Sequence, residues 1–267
     1  MPAWTAFAAA TAVLTAVLLY FTRRSRRTID RIVAAPSDRS APGVDNGPVV
    51  ASDSSRRAAD PSPESLTPTL LLVNVTVSQG LALAALAGIA WVTAVPPAAF
   101  GLDAGRSVLW RGGVAGVTLY AANEAAAALG ARIGVAPTLR LREAMAPTDA
   151  AGWALLLGVT LPVVAVFEEA LFRGALIGAL GAGTGIDPWL LAIGSAAAFG
   201  LGHGAQGRLG IVVAGGMGLA LAGVFVSTGS LLVVVVAHYV VNASEFVVHE
   251  RFGRDPAAAL ERVVSRE

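Results

Sequence analysis

The chain contains no cysteine and no lysine. Without thiols, disulfides, zinc–thiolate centres and thiol nucleophiles are excluded. Arginine supplies all 19 basic residues, a bias to which no function attaches. Charge is scarce as well: 14% of residues carry it, against about 25% in soluble domains. A formal net charge of +1 gives no electrostatic sign of nucleic acid, and no nucleic-acid partner is expected. Too little polar surface exists to solvate the exterior of a water-soluble helical protein.

What is present is apolar. Of 267 residues, 55% are hydrophobic, and the mean hydropathy is +0.67. The charges cluster in residues 22–64 and 251–267, with long apolar runs between them. A bilayer crossing needs roughly 20 apolar residues. The expected fold is therefore all-α: a polytopic membrane helical bundle with about seven transmembrane helices, whose lipid partner is the bilayer of the cell (plasma) membrane.

Residues 3–21 form the first apolar run, and Arg23, Arg24, Arg26 and Arg27 follow it. A secretory signal would carry its basic residues before the run. The reversed order predicts a retained anchor over 1–34, N-terminus outside and arginines in the cytoplasm. Residues 35–68 hold Pro36, Pro42, Pro48, Pro61, Pro63 and Pro68 among Ser, Asp and Arg, without periodicity. They are read as a disordered cytoplasmic linker.

Further spans are expected at about 70–95, 108–130, 152–178, 188–203, 209–226 and 230–248. Alternating across the membrane, they leave Arg132, Arg140, Arg142, Arg208 and the terminal arginines inside, with only Arg106 and Arg111 outside. Accessory helices thus occupy 69–149, a catalytic core 150–249, and a polar tail 250–267. Asp187-Pro188 reads as a helix start, Asp as cap and Pro in the first turn.

Within the apolar core stand Glu168 and Glu169, side by side, with Arg173 one turn on. An ionised carboxylate in hydrocarbon costs at least ~2.5–3.5 kcal/mol. On a helix Glu169 and Arg173 share a face and can pair. Glu168 is rotated by roughly 100° and can act while its neighbour is neutralised. Such a free carboxyl, in low dielectric beside a like charge, is placed for general acid–base work.

The chain has three histidines. His203 ends an apolar run, with Phe199 one turn earlier on the same face. His238 lies mid-span, with Asn242 one turn later. An amide there can orient an imidazole or donate to an oxyanion. Brought to one depth, Glu168, His203, His238 and Asn242 fit two chemistries. Glu168, His203 and His238 could hold zinc with a water in the open position. Alternatively Glu168 and one histidine activate water while the other histidine and Asn242 stabilise the oxyanion. Both make a hydrolase.

The ordered set Glu168-Glu169-x-x-x-Arg173, Phe199-x-x-x-His203 and His238-x-x-x-Asn242, with Gly174 after the arginine, resembles the CAAX protease and bacteriocin-processing (CPBP, or ABI) family over about residues 150–247. The resemblance implies an intramembrane glutamate-dependent endopeptidase, in a family usually labelled metalloprotease. Its substrate would be a membrane-associated peptide or a lipidated, prenylated CAAX-type protein. Glu168 would be the base, His203 and His238 would join it, Asn242 would assist the oxyanion, and Glu169 and Arg173 would support the site. The His-Glu-x-x-His, Gly-x-Ser-Gly and Gly-x-Gly-Asp signatures of other intramembrane proteases are absent, and Ser195 reads as a helix-packing residue. Two other classes stand beside this one. One is a bacteriocin-immunity or scaffold protein. The other is a transporter, disfavoured by the lack of detectable repeats. Asn123 and Glu124 read as partners of neighbouring helices, and His249 and Glu250 as interfacial.

Overall fold

The computed structural model describes residues 1–34, 67–102, 105–134 and 140–254. The expected linker over 35–68, except its last two residues, and the tail beyond 254 lie outside the described residues. Among the described residues all regular structure is helical. The helices are α1 (Trp4–Ala34), α2 (Pro68–Val92), α3 (Val108–Arg132), α4 (Arg140–Met145), α5 (Ala150–Thr184), α6 (Pro188–Gly202), α7 (Gly207–Thr228) and α8 (Leu231–Arg251).

Short polar side chains start several of them. Thr67 caps α2 ahead of Pro68, and Asp149 accepts from Gly152 N at 2.7 Å to start α5. Asp187 accepts from Trp189 N at 2.9 Å ahead of Pro188, the arrangement read from the sequence. Each satisfies a backbone donor that the first turn leaves open.

Five segments are long and apolar enough to cross a membrane: Trp4–Arg24, Pro68–Val92, Ala150–Thr184, Gly204–Thr228 and Leu231–Arg251. The chain is an integral membrane protein. Helices also stand at the two other expected spans, but differently. The α6 helix has only 15 residues, about 22 Å at 1.5 Å per residue, which falls short of a ~30 Å hydrocarbon core. The α3 helix is long enough but less apolar, because Arg111, Asn123, Glu124 and Arg132 interrupt it.

Two helices, α5 and α8, depart from α geometry. Pro162 has no N–H to give, and the turn before it, Leu156–Thr160, is π-helical. A second π stretch, Ala170–Ala179, begins directly after Glu169. The last turn of α8, Phe246–Arg251, is π-helical as well.

The α5 helix packs against α2, α6 and α8, while α6 and α7 form a close hairpin and α3 lies along α8. Small residues set these approaches. A Cβ at Gly112 would fall 2.6 Å from Val236 Cβ, and one at Gly116 the same distance from Val240 Cβ. Glycine is therefore required for α3 to lie on α8. The loop after α2 is fastened to the start of α8, where Leu231 N donates to Gly101 O at 2.8 Å. Phe7, Phe100, Phe167, Phe172, Phe199 and Phe225 anchor the larger apolar core. Leu72, Met145, Leu156, Leu161 and Phe246 form a smaller one. Leu81, Trp91, Leu109, Trp110, Ile193 and Val212 face outward, as a lipid-facing exterior requires.

Candidate functional site

Glu169 and Arg173 are the two charged side chains sealed inside α5, each with 0% of its side chain exposed. Arg173 Nη1 donates to Glu169 Oε1 at 2.8 Å, the i,i+4 pair expected from the spacing. Its Nη2 donates to the carbonyl of Gly218 on α7 at 2.7 Å. The guanidinium also lies 4.7 Å from the centroid of the Phe199 ring, a cation–π contact. One arginine thus joins α5, α6 and α7.

His238 is brought in from α8. Its Nδ1 lies 2.6 Å from Glu169 Oε1. The carboxylate oxygen accepts, so Nδ1 carries the proton and Nε2 is turned to the other side. There Nε2 stands 3.7 Å from Glu168 Oε2. The sequence offered Asn242 either to orient His238 or to donate to an oxyanion; in the structure Glu169 holds His238 Nδ1. Glu169 therefore serves Arg173 and His238 together, a second task that the i,i+4 pairing alone did not reveal.

Glu168 is turned away from the arginine, as its place on the helix requires. Its side chain is 12% exposed, and its Oε2 has no hydrogen-bond partner among the described residues. Three hydrogen bonds, two to Glu169 Oε1 and one to the Gly218 carbonyl, fix the neighbouring Arg173 and His238; Glu168 Oε2 is left available.

Phe199 is the hub of the remaining contacts. His203 stacks on it with ring centroids 4.5 Å apart, and His238 meets it edge-on at 6.1 Å. Phe172 packs against its other side at 5.1 Å. His203 Nδ1 lies 2.9 Å from the Phe199 carbonyl. A carbonyl only accepts, so Nδ1 carries the proton and the lone pair sits on Nε2. His203 reaches the cluster through Phe199: among the described residues no hydrogen bond or ion pair joins it to Glu168, Glu169 or His238. Asn242 lies one turn beyond His238, partly buried, and its side chain makes no hydrogen bond among the described residues. Ser195 donates to the carbonyl of Phe172, tying α6 to α5, which is the packing role expected of it.

The Gly218 carbonyl had no signature in the sequence, because any residue carries one. Only the close approach of α7 to Phe199 singles it out. A Cβ at this position would lie 3.0 Å from Phe199 Cδ1.

A second polar cluster is assembled by α3, α4 and the end of α8. Glu124 Oε1 is 2.8 Å from His249 Nε2. Glu245 accepts from Asn123 at 2.7 Å and from Arg142 at 2.6 Å, and Arg142 Nε donates to Glu250 at 2.7 Å. Asn123 and Glu124 do satisfy a neighbouring helix, as expected. Glu245, the centre of the cluster, carried no motif. His249 and Glu250 join the same network rather than standing alone at an interface. Among the described residues, the three-residue group able to hold a metal ion, with its ligand atoms all within 4.8 Å of one another, is Glu124, Glu245 and His249. The set expected from the sequence was Glu168, His203 and His238.

Comparison with known proteins gives one match. Residues 150–244 match the family model described as type II CAAX prenyl endopeptidase Rce1-like. The matched segment contains α5 to α7 and α8 through Ser244, and so every residue of the first cluster. No curated relative and no solved structure matches the chain.

Proposed function

Starting from the likeness of its 150–244 segment to type II CAAX prenyl endopeptidases, which supports a CAAX-type intramembrane protease function in general, we propose that this protein hydrolyses a peptide bond of a membrane-associated or prenylated CAAX-type substrate. The plasma membrane is the proposed site of action. The observation that carries this reading is the unpartnered Oε2 of Glu168, facing the Nε2 of His238 at 3.7 Å.

In the proposed reaction Glu168 is the general base. It takes a proton from water, and the hydroxide adds to the substrate carbonyl carbon. The negative charge of the tetrahedral intermediate falls on the carbonyl oxygen. Asn242, free to donate its amide, and one protonated imidazole stabilise it. The proton held by Glu168 passes to the leaving amine as the C–N bond breaks. Glu169 and Arg173 act as positioning residues: Glu169 holds the tautomer of His238, and Arg173 holds Glu169. Phe199 fixes the plane of His203.

The donor types of Glu168, His203 and His238 suit zinc, but their ligand atoms do not converge within 4.8 Å as those of Glu124, Glu245 and His249 do, so the side chains would have to close on the ion. Glu168, His203 and His238 would hold it, and the ion would polarise the scissile carbonyl or its own water.

The test is cleavage of prenylated CAAX peptides by purified, detergent-solubilised protein, wild type beside E168Q, each with and without phenanthroline. Cleavage by wild type and none by E168Q is expected. Loss on chelation would assign the metal-assisted route, and indifference the route through Glu168 and imidazole alone. Equal turnover by E168Q would remove the proposed base. Failure of wild type across the peptide set would turn the reading toward an immunity or scaffold protein, whose test is partner capture.

A further inference from the structure

We infer that Glu124, Glu245 and His249 form a second site, apart from the candidate active site, that binds a divalent transition-metal ion. Glu245 and His249 are one turn apart on α8, and Glu124 faces them from α3. One ligand atom from each lies within 4.8 Å of the others. Two carboxylates and one imidazole are the donor set of zinc, manganese or ferrous iron rather than of magnesium or calcium.

Two independent features point to a missing cation. Glu124 is only 8% exposed, and its Oε2 has no hydrogen-bond partner among the described residues. A buried carboxylate oxygen left in this state is costly. Tyr120, one turn earlier on α3, likewise has a buried hydroxyl without a hydrogen-bond partner. The charge balance points the same way. Glu245 and Glu250 pair with one guanidinium, that of Arg142, while Glu124 meets His249. Three carboxylates thus gather about one guanidinium, an excess of acidic groups that a divalent ion would offset.

The surrounding contacts resemble those that orient metal ligands. Both oxygens of Glu245 accept hydrogen bonds, from Asn123 and from Arg142. Ligating carboxylates are commonly held in this way, and each oxygen keeps a second lone pair for the ion. His249 Nε2 shares a proton with Glu124 Oε1 across 2.8 Å. Binding needs the Nε2 lone pair, so the ring takes the tautomer protonated at Nδ1 and the ion replaces the hydrogen bond between Nε2 and Glu124. The side chains of Glu245 and His249 are 19% and 13% exposed, which leaves a route inward.

The site also has a fixed relation to the first. His238, Asn242, Glu245 and His249 follow one another along a single face of α8. At 1.5 Å per residue, His249 lies about 16 Å from His238. An ion tying α8 to α3 would therefore hold the register of the helix that presents His238 and Asn242.

The chain's three histidines make the test decisive. In H203Q/H238Q, His249 is the one imidazole left. Full-length H203Q/H238Q, purified with a tag free of histidine, is dialysed against Zn2+ and, separately, Mn2+. Zinc is counted by elemental analysis, and its coordination is read by X-ray absorption. One zinc per chain with one imidazole ligand is expected, weakened at least about tenfold by E124Q in the same background. No retained metal, a coordination shell without imidazole, or affinity unchanged by E124Q would overturn the proposal. Should H203Q/H238Q fail to fold, E124Q/H249N is compared with wild type. One fewer zinc per chain is then expected, and an equal count overturns the site.

Discussion

His238 and Glu169, 69 positions apart in the chain, meet in a 2.6 Å hydrogen bond between Nδ1 and Oε1. The same Oε1 accepts from Arg173. One carboxylate oxygen thus fixes an imidazole on α8 and a guanidinium within its own helix. E169Q replaces that charge with a neutral amide and leaves Arg173 buried beside no anion of its own. A loss of about 3 kcal/mol is expected, seen as a lowered thermal midpoint in detergent, with activity lost as well. Unchanged stability would mean that the buried charges are balanced elsewhere.

E168Q should behave differently. Glu168 Oε2 holds no hydrogen bond among the described residues, so the folded state loses little when it becomes an amide. The thermal midpoint should stay near that of wild type while turnover falls at least about 100-fold, the usual contribution of a general base. The contrast between E168Q and E169Q separates chemistry from scaffolding within one dipeptide.

R173K tests the geometry of the guanidinium. Arginine reaches Glu169 through Nη1 and Gly218 O through Nη2. A single ammonium on a flexible stem cannot reproduce that fork. Thermal midpoints should rank wild type, then R173K, then R173A, with R173K losing about 1–3 kcal/mol. Equal midpoints for lysine and arginine would show that charge alone suffices.

F199L keeps most of the apolar volume but removes the ring shared by Arg173, His203 and His238. Stability should fall by about 0.5–1.5 kcal/mol. The rate should fall further than that loss suggests, about tenfold or more, because the plane of His203 is no longer held. G218A perturbs the same ring from behind. Its Cβ would stand 3.0 Å from Phe199 Cδ1, so the ring must shift by a few tenths of an ångström. A several-fold loss of kcat with KM unchanged is expected. A change in KM alone would place Phe199 in substrate binding instead.

Much of this was legible before the coordinates. The Glu169–Arg173 pair follows from helical periodicity, and the cap at Asp187 from local chemistry. The order of three motifs proposed a grouping of Glu168, His203, His238 and Asn242, of which the structure sets His238 beside Glu168 and both histidines against Phe199. What could not be read were partners set by packing. Glu245 meets Asn123 across 122 positions and Arg142 across 103, and no local pattern encodes such separations. The short reach of α6 was legible too, since the span expected at 188–203 matches Pro188–Gly202 with His203 as its cap. Asn242, one turn away, was offered either as an orienting partner of His238 or as an oxyanion donor. The carboxylate that takes the orienting role comes from another helix, where sequence spacing has no say.

The π stretch over Ala170–Ala179 bears on how this protein can change in length. A π turn holds one residue more than the α turn it replaces, and most such turns are local bulges in an otherwise α-helical ladder. An ordinary α-helix that loses a residue is rotated out of phase beyond the gap. Here the ladder can take up the loss by reverting to α spacing. Where the gap falls decides the outcome. Between Glu169 and Arg173 it swings the guanidinium off the carboxylate; after Gly174 it leaves that pair untouched and re-phases only the end of the helix. Insertions and deletions should therefore be tolerated toward residue 179 and purged near residue 170, so that the helix carries a graded tolerance to indels along a single uninterrupted span.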